Sequence, residues 1–198
     1  MIRTAFAAAL LMVCAVPAFA ETRTAIVAGG CFWCVEKDFD HVRGVTDAVS
    51  GYSGGDLPNP TYDTYSGGGH YEVVQLTYNS NRISYRELLD VFFRTVDPTD
   101  PGGQFCDRGV SYSTAVFVAN DAERAIAEQA KADAQAALGR EIVTPILDAA
   151  RFWPAENYHQ DYYRRAPVRY NYYRFACGRD AKVESLWGEQ AYAGVDKD

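Results

Sequence analysis

The sequence is poor in the groups that hold polyanions, membranes and metals. Its 19 basic residues are outnumbered by 26 acidic ones, for a net charge of −7. That balance excludes nucleic acid and anionic membrane surfaces as natural partners. No apolar run reaches the length of about 20 residues that a spanning helix needs. There is no internal repeat, low-complexity tract or long linker, which excludes solenoids and arrays. Histidine is scarce: His41, His70 and His159 are the only ones. A surface or hydrogen-bonded side chain is the ordinary reading of each, with His70, beside the acid of a strand, best placed to reach a pocket. Cysteine is scarce too. One C-x-x-C, Cys31 to Cys34, with Cys106 and Cys177 far away, is a poor match to zinc spacing.

What is present begins with a leader. MIRTAFAAALLMVCAVPAFA has Arg3, a short apolar run and the ending Ala18-Phe19-Ala20, the pattern of a secretory signal cleaved before Glu21. An exported, periplasmic protein is expected. Residues 21–198 then form a single domain with a C-terminal tail from about residue 166. With Cys14 in the leader, Cys31, Cys34, Cys106 and Cys177 remain, in a compartment where disulfides persist. They allow three full pairings, and spacing does not choose among them. A domain of this length does not need a disulfide to hold together, which leaves at least one pair available for chemistry.

Apolar patterning sets the order of elements. A buried strand is expected over Thr22–Ala28, then a Gly29-Gly30 break, then a helix over Phe32–His41. A second strand follows over Val45–Tyr52, then a long loop from Ser53 to Gly69. Period-two reading of His70–Tyr78 puts His70, Glu72, Val74, Leu76 and Tyr78 on one face. Glu72 thus ends a mainly apolar face. Ser84-x-x-Glu87 opens a helix over Ser84–Val96 as a capping box, and Asn120 caps a helix to Leu138. Strands are expected at Thr114–Ala119 and Ile142–Leu147, the latter an edge strand because of Pro145. The segment from Pro154 reads as partly helical, then irregular. The order predicts an α+β fold: a ferredoxin-like two-layer sandwich, with helices packed on a mixed or antiparallel sheet and an irregular C-terminal tail.

The chemistry concentrates at AGGCFWCVE, Ala28–Glu36. Cys31 falls at a strand-to-helix corner, where unpaired N–H groups and the helix dipole favour a thiolate. Gly29 and Gly30 permit the turn and a close approach to the backbone. Phe32 and Trp33 are consecutive and cannot both face one core, so they offer walls for a methyl or thioether group. Glu72, on its apolar face, is expected to hold a proton near neutral pH. Tyr62, Asp107 and Tyr112 supply hydroxyls and a carboxyl. The tyrosines near the C-terminus (Tyr162, Tyr163, Tyr170, Tyr172, Tyr173) read as packing residues with a wet hydroxyl. Such a set suits attack on a soft polar centre whose oxygen leaves as water.

These residues belong to a longer pattern. GCFWCVE at Gly30–Glu36, GVTDAVSGYSGG, NPTY at Asn59–Tyr62, GHYE at Gly69–Glu72, DPTDPGGQ and DRGVSY at Asp107–Tyr112 follow one another in order. The chain thereby resembles the A-type peptide methionine sulfoxide reductases over most of its length. The resemblance implies Cys31 as nucleophile, Phe32 and Trp33 as the substrate-binding walls, Glu72 as proton donor, Tyr62 and Tyr112 as partners of the sulfoxide oxygen, and Asp107 as an acidic neighbour. It implies reduction of methionine (S)-sulfoxide, free or in proteins, through a cysteine sulfenic acid and an intramolecular disulfide. It implies no metal or organic cofactor, and a thioredoxin-like external dithiol as reductant. A monomer is expected.

The chain departs from the family where cysteines are concerned. Cys34 replaces the usual glycine, Cys106 an asparagine, Ser111 a glutamine and Ser113 an arginine. The resolving cysteine is therefore open among Cys177, Cys34 and Cys106. In one scheme Cys31 and Cys34 form the redox pair and Cys106–Cys177 is structural. In the other, favoured by the family's habits, Cys177 resolves Cys31 and Cys34 or Cys106 relays. Two rivals use the cysteines alone: a thiol–disulfide oxidoreductase working through Cys31 and Cys34, and a zinc module.

Overall fold

A computed structural model describes residues 21–196. The expected leader, residues 1–20, lies outside the described residues.

The strands are β1 (Thr22–Gly29), β2 (Val45–Ser53), β3 (Tyr71–Asn79), the short pair β4 (Gly103–Gln104) and β5 (Asp107–Arg108), β6 (Thr114–Val118), β7 (Ile146–Asp148) and β8 (Trp153–Pro154). The helices are α1 (Phe32–Asp40), α2 (Tyr85–Phe93), α3 (Asp121–Leu138), α4 (Tyr162–Arg165), α5 (Pro167–Ala176) and α6 (Arg179–Trp187). The main sheet runs β7-β6-β1-β3-β2-β8. Its pairs are antiparallel except β6–β7, which is parallel. The sheet is therefore mixed. β1-α1-β2-β3-α2-β6, with spatial order β6-β1-β3-β2, is the ferredoxin-like split β-α-β arrangement.

Alternation along the strands sorts the two faces. Ala25 and Val27 of β1 and Val74, Leu76 and Tyr78 of β3 join the main core with Phe32, Val35 and Phe39 of α1 and Leu88, Leu89, Phe92 and Phe93 of α2. Ala28, Val73, Ala115 and Phe117 form a smaller cluster on the opposite face. Burial of each large side chain contributes about 1.5–3 kcal/mol before entropy is subtracted. Glu72 lies one residue pair along from Val74 on the main-core face, so the period-two reading holds. The antiparallel register sets the start of β3 beside the end of β2, Tyr52 opposite Glu72. Gly29 at the end of β1 lies opposite Thr114 at the start of β6. One end of the sheet thus gathers the glycine corner, Glu72 and the start of β6.

The helix signals hold. Ser84 accepts from the Glu87 backbone N–H, and the Glu87 carboxylate accepts from the Ser84 N–H, closing the capping box. α2 stops at Phe93, short of the expected Val96, and the Thr95 and Val96 carbonyls accept from Arg179 and Trp187 of the C-terminal segment. Asn120 caps α3 through the Glu123 N–H. The expected strand over Ile142–Leu147 is paired only from Ile146, at the sheet edge beside β6. Between α2 and β6 the chain forms the short β4–β5 pair.

The C-terminal region consists of short helices joined by turns. Pro167 opens α5 at its first turn, and Gly178, with φ +67°, separates α5 from α6. Polar and tyrosine-rich, these helices have little apolar periodicity to announce them. Arg179 is buried and donates to the Gly29 and Thr95 carbonyls at 3.0 and 2.9 Å. The Trp187 indole N–H donates to the Val96 carbonyl. These bonds hold the region against the glycine corner and the end of α2.

α3 meets the core through Ala127, Ala130 and Ala134, all buried. Close approach depends on those small side chains. Ala130→Leu is expected to destabilise the protein by about 1–3 kcal/mol through overpacking. A urea midpoint measurement checks it, and an unchanged or raised midpoint would contradict this packing.

Candidate active site

Cys31 occupies the N-cap of α1, its carbonyl accepting from the Cys34 and Val35 N–H groups. Gly30 makes the corner at φ +80°. A Cβ there would come within 2.5 Å of the Gln104 Cβ. Gln104 cannot yield. It is buried, its amide donates to the Asp97 and Gly103 carbonyls, and its oxygen accepts from the Asp97 N–H.

The Glu72 carboxyl sits directly under this helix terminus. Its Oε2 accepts from the Phe32 N–H at 2.9 Å and its Oε1 from the Tyr65 hydroxyl at 3.0 Å. Both bonds favour the carboxylate, yet burial outweighs them and pushes Glu72 up to about 8. The acid therefore holds its proton at neutral pH. The Tyr65 hydroxyl lies 2.9 Å from that of Tyr112.

Phe32 and Trp33 diverge as consecutive helical residues must. Phe32 is buried against Tyr52 and His159. Trp33, partly exposed, stacks on Tyr162 with ring centroids 3.9 Å apart and donates its indole N–H to His159 Nδ1. That bond fixes the His159 proton on Nε2. Cys31, Phe32, Trp33, Tyr62, Glu72, Asp107 and Tyr112 line a single cavity of about 50 Å³, together with Tyr173. Every side chain singled out as catalytic or substrate-binding in the sequence thus converges on one space, large enough for a methylthio group.

Two contributors escaped the sequence reading. Tyr65, three residues after Tyr62, is the tyrosine bonded to Glu72, while Tyr62 lies over it at the cavity mouth. The signal was present in the paired spacing Tyr62-x-x-Tyr65 on one helical turn. Tyr173, read as a packing residue, donates to the Asp107 carboxylate and is also hydrogen-bonded to the Cys31 sulfur. Burial raises Asp107 as well. His70 is not in the cavity. It is buried and pins the long loop, accepting from the Gly55 N–H and bonding the Leu57 carbonyl.

The cysteines fall into two pairs. Cys106 and Cys177 are joined in a disulfide, whereas Cys31 and Cys34 are free, buried and hydrogen-bonded to each other. The disulfide ties the β4–β5 turn to the end of α5 and so holds Asp107 near Tyr173. It also takes two of the four sulfurs that a zinc module would need. The expectation that the helix terminus ionises Cys31 is corrected here. Burial and the neighbouring Cys34 push the Cys31 thiol well up, while Cys34, bonded by Cys31 and facing Arg179 and Arg174, comes down to about 7.

Gly30→Ala is expected to cost about 1–3 kcal/mol, from the left-handed backbone and the Gln104 contact. Activity should fall further than the loss of folded protein explains, because the corner aims Cys31. Activity per folded molecule, with the folded fraction read by circular dichroism, separates the two. Unchanged stability and activity would contradict the corner's role.

Comparison with known proteins agrees with this geometry. The family model "Peptide methionine sulfoxide reductase" matches residues 23–191. Peptide methionine sulfoxide reductase MsrA 2 of Rhizobium meliloti is 57% identical over 176 residues, covering 89% of each chain. Among solved structures, reduced Mxr1 from Saccharomyces cerevisiae superposes with a TM-score of 0.69 at 31% identity, over 75% of this chain and 87% of that one. The same yeast protein in complex with Trx2 matches with a TM-score of 0.53 at 28% identity, over 72% and 86% of the two chains. With the family pattern spanning nearly all of the described residues, the chain belongs to the A-type peptide methionine sulfoxide reductases.

Proposed function

We propose that the protein reduces the S epimer of methionine sulfoxide, free or within oxidised proteins, to methionine. The convergence of thiol, protonated acid, phenols and aromatic walls on one small cavity carries this reading. The substrate methyl fits between Phe32 and Trp33, where sulfur–aromatic contact contributes about 0.3–1.5 kcal/mol. The sulfoxide oxygen is received by Glu72, Tyr62 and Tyr112. Cys31 attacks the sulfur, Glu72 gives its proton to the oxygen, methionine leaves, and the oxygen remains on Cys31 as a sulfenic acid. Asp107 acts through Tyr173, which it orients toward Cys31.

Cys34 is the free thiol in reach of Cys31, and its condensation with the sulfenic acid gives a Cys31–Cys34 disulfide and water. Cys177, bonded to Cys106, is not available for that first condensation. The pairing thus favours the scheme with Cys31 and Cys34 as redox pair over resolution by Cys177. A thioredoxin-like dithiol then regenerates the enzyme by exchange, in keeping with the Trx2 complex of the yeast relative. A thiol–disulfide oxidoreductase would leave the buried acid and its phenols without a task. No metal or organic cofactor takes part. The leader pattern of residues 1–20 and the Cys106–Cys177 disulfide support export to the periplasm, where a monomeric enzyme would act.

Turnover of the separate epimers of a methionine sulfoxide peptide tests the reading. Reduction of the S epimer alone, abolished in Cys31→Ser, is expected. Reduction of neither epimer would contradict it. Glu72→Gln should lower the rate of methionine release by about 10²–10⁴-fold, the usual worth of a positioned proton donor. Because the acid works protonated, the wild-type rate should fall as pH rises through about 8, and this descending limb should vanish in Glu72→Gln.

A further inference from the structure

One buried charge cluster has no part in the steps above. Asp38 of α1, Arg174 of α5 and Arg179 of α6 are 2%, 9% and 1% exposed. Arg174 Nη1 lies 2.8 Å from Asp38 Oδ1 and 3.0 Å from the Tyr170 hydroxyl, to which it donates. Its other edge clamps Asp180. Arg179 Nε stands 3.7 Å from Asp38 Oδ2, and among the described residues neither atom has a hydrogen-bond partner. Two buried guanidiniums thus share one buried carboxylate. Such an arrangement is a poor source of stability, since desolvation offsets the attraction.

The cluster has a neighbour that completes it. Cys34 precedes Asp38 by four residues and lies above it on the same face of α1. The Tyr170 ring, held by Arg174, packs with Cys34 and Cys31 in one buried group. Arg179, through its bond to the Gly29 carbonyl, also fixes the corner that presents Cys31.

We propose that the Asp38–Arg174–Arg179 cluster is the counter-charge that keeps Cys34 a thiolate, and that Cys34 is the base that takes the Cys31 proton as Cys31 attacks the sulfoxide. The inference rests on the reductase reading above. The atoms balance. The Cys34 sulfur gains the Cys31 proton, the Cys31 sulfur bonds to the sulfoxide sulfur, and the sulfoxide oxygen gains the Glu72 proton. Breakage of the sulfur–oxygen bond and of the new bond between the Cys31 and substrate sulfurs, with transfer of that oxygen to Cys31, leaves methionine, a Cys31 sulfenic acid, a Cys34 thiol and a Glu72 carboxylate. The substrate sulfur is reduced by two electrons and the Cys31 sulfur oxidised by two. Cys34, now holding its proton, condenses with the sulfenic acid and releases water. Cys34 therefore acts twice, first as base and then as resolving thiol. Arg174 and Arg179 are positioning residues.

The groups that face Cys34 act in both directions. The hydrogen bond from Cys31, then Arg179 and Arg174, favour its thiolate, against burial and the Asp38 charge, and bring it to about 7. From β3 the Glu72 carboxyl, and from α5 Tyr170 and Tyr173, complete its surroundings. The base must be ionised and Glu72 protonated, so the first chemical step should rise with pH through about 7 and fall through about 8.

The test is a single turnover of oxidised peptide by excess enzyme without reductant, which measures methionine release and needs no resolving thiol. In Cys34→Ser the release at pH 7 is expected to slow at least tenfold, and the ascending limb to move up by a unit or more. Release at the wild-type rate and pH dependence would overturn the proposal and leave Cys34 a resolving thiol only. Arg174→Gln should move the ascending limb up without moving the descending one. An unmoved limb would overturn the role of the cluster. If Arg174→Gln does not fold, thiolate absorbance near 240 nm decides: at pH 7.5 it should persist in Cys31→Ser and be lost in Cys34→Ser, and the reverse would overturn the assignment of charge. Absence of methionine release by the wild type would instead overturn the reductase reading beneath it.

Discussion

The contact between the Glu72 carboxyl and the Phe32 N–H joins the two halves of the site. It places an acid from the first turns of β3 directly under the N-terminus of α1, beside the cysteine that caps that helix. The ferredoxin-like topology makes the contact possible, because β1 and β3 are neighbours and α1 packs against both. A free carboxyl at a helix N-terminus would ordinarily ionise. Here the apolar face that β3 shares with α1 and α2 denies water to the group, and desolvation wins. The same burial that stabilises the core thus sets the proton inventory of the site.

The second constraint is closure by the C-terminal region. Arg179 bonds the Gly29 carbonyl from 150 positions away in the chain. The Cys106–Cys177 disulfide ties the β4–β5 turn to α5, and Tyr173, Tyr162 and His159 complete the walls around Cys31 and Trp33. Glu36 belongs to the same closure. Its carboxylate accepts from the Ser50 hydroxyl and the Asp161 N–H, fastening the segment before α4 to α1 and β2. The chemistry is therefore supported from two directions: the sheet end supplies thiol and acid, and the C-terminal helices supply walls, counter-charge and water exclusion.

Much of this was legible in the sequence, for local reasons. The alternation of Glu72, Val74, Leu76 and Tyr78, the Ser84–Glu87 capping box, the Asn120 cap and the glycine corner each encode structure within a few residues. The family pattern then brought Cys31, Glu72, Tyr62, Tyr112 and Asp107 into one expected site. What the sequence hid depends on contacts distant in the chain. Nothing near Tyr173 distinguishes it from the other tyrosines of the C-terminal segment. The pairing of Cys106 with Cys177 follows from where α5 lands. The contact of Cys34 with Cys31 is local, but the two arginines that face it come from helices whose weak periodicity left them unannounced.

The central claim is that burial keeps Glu72 protonated at the pH where the enzyme works. Its direct test is a carbon-13 NMR titration of the Glu72 carboxyl in protein labelled at glutamate, assigned by comparison with Glu72→Gln. The account predicts a resonance that stays in the protonated position at pH 7 and titrates near 8. A resonance already in the ionised position at pH 7, with a midpoint near the ordinary glutamate value of about 4.3, would contradict it.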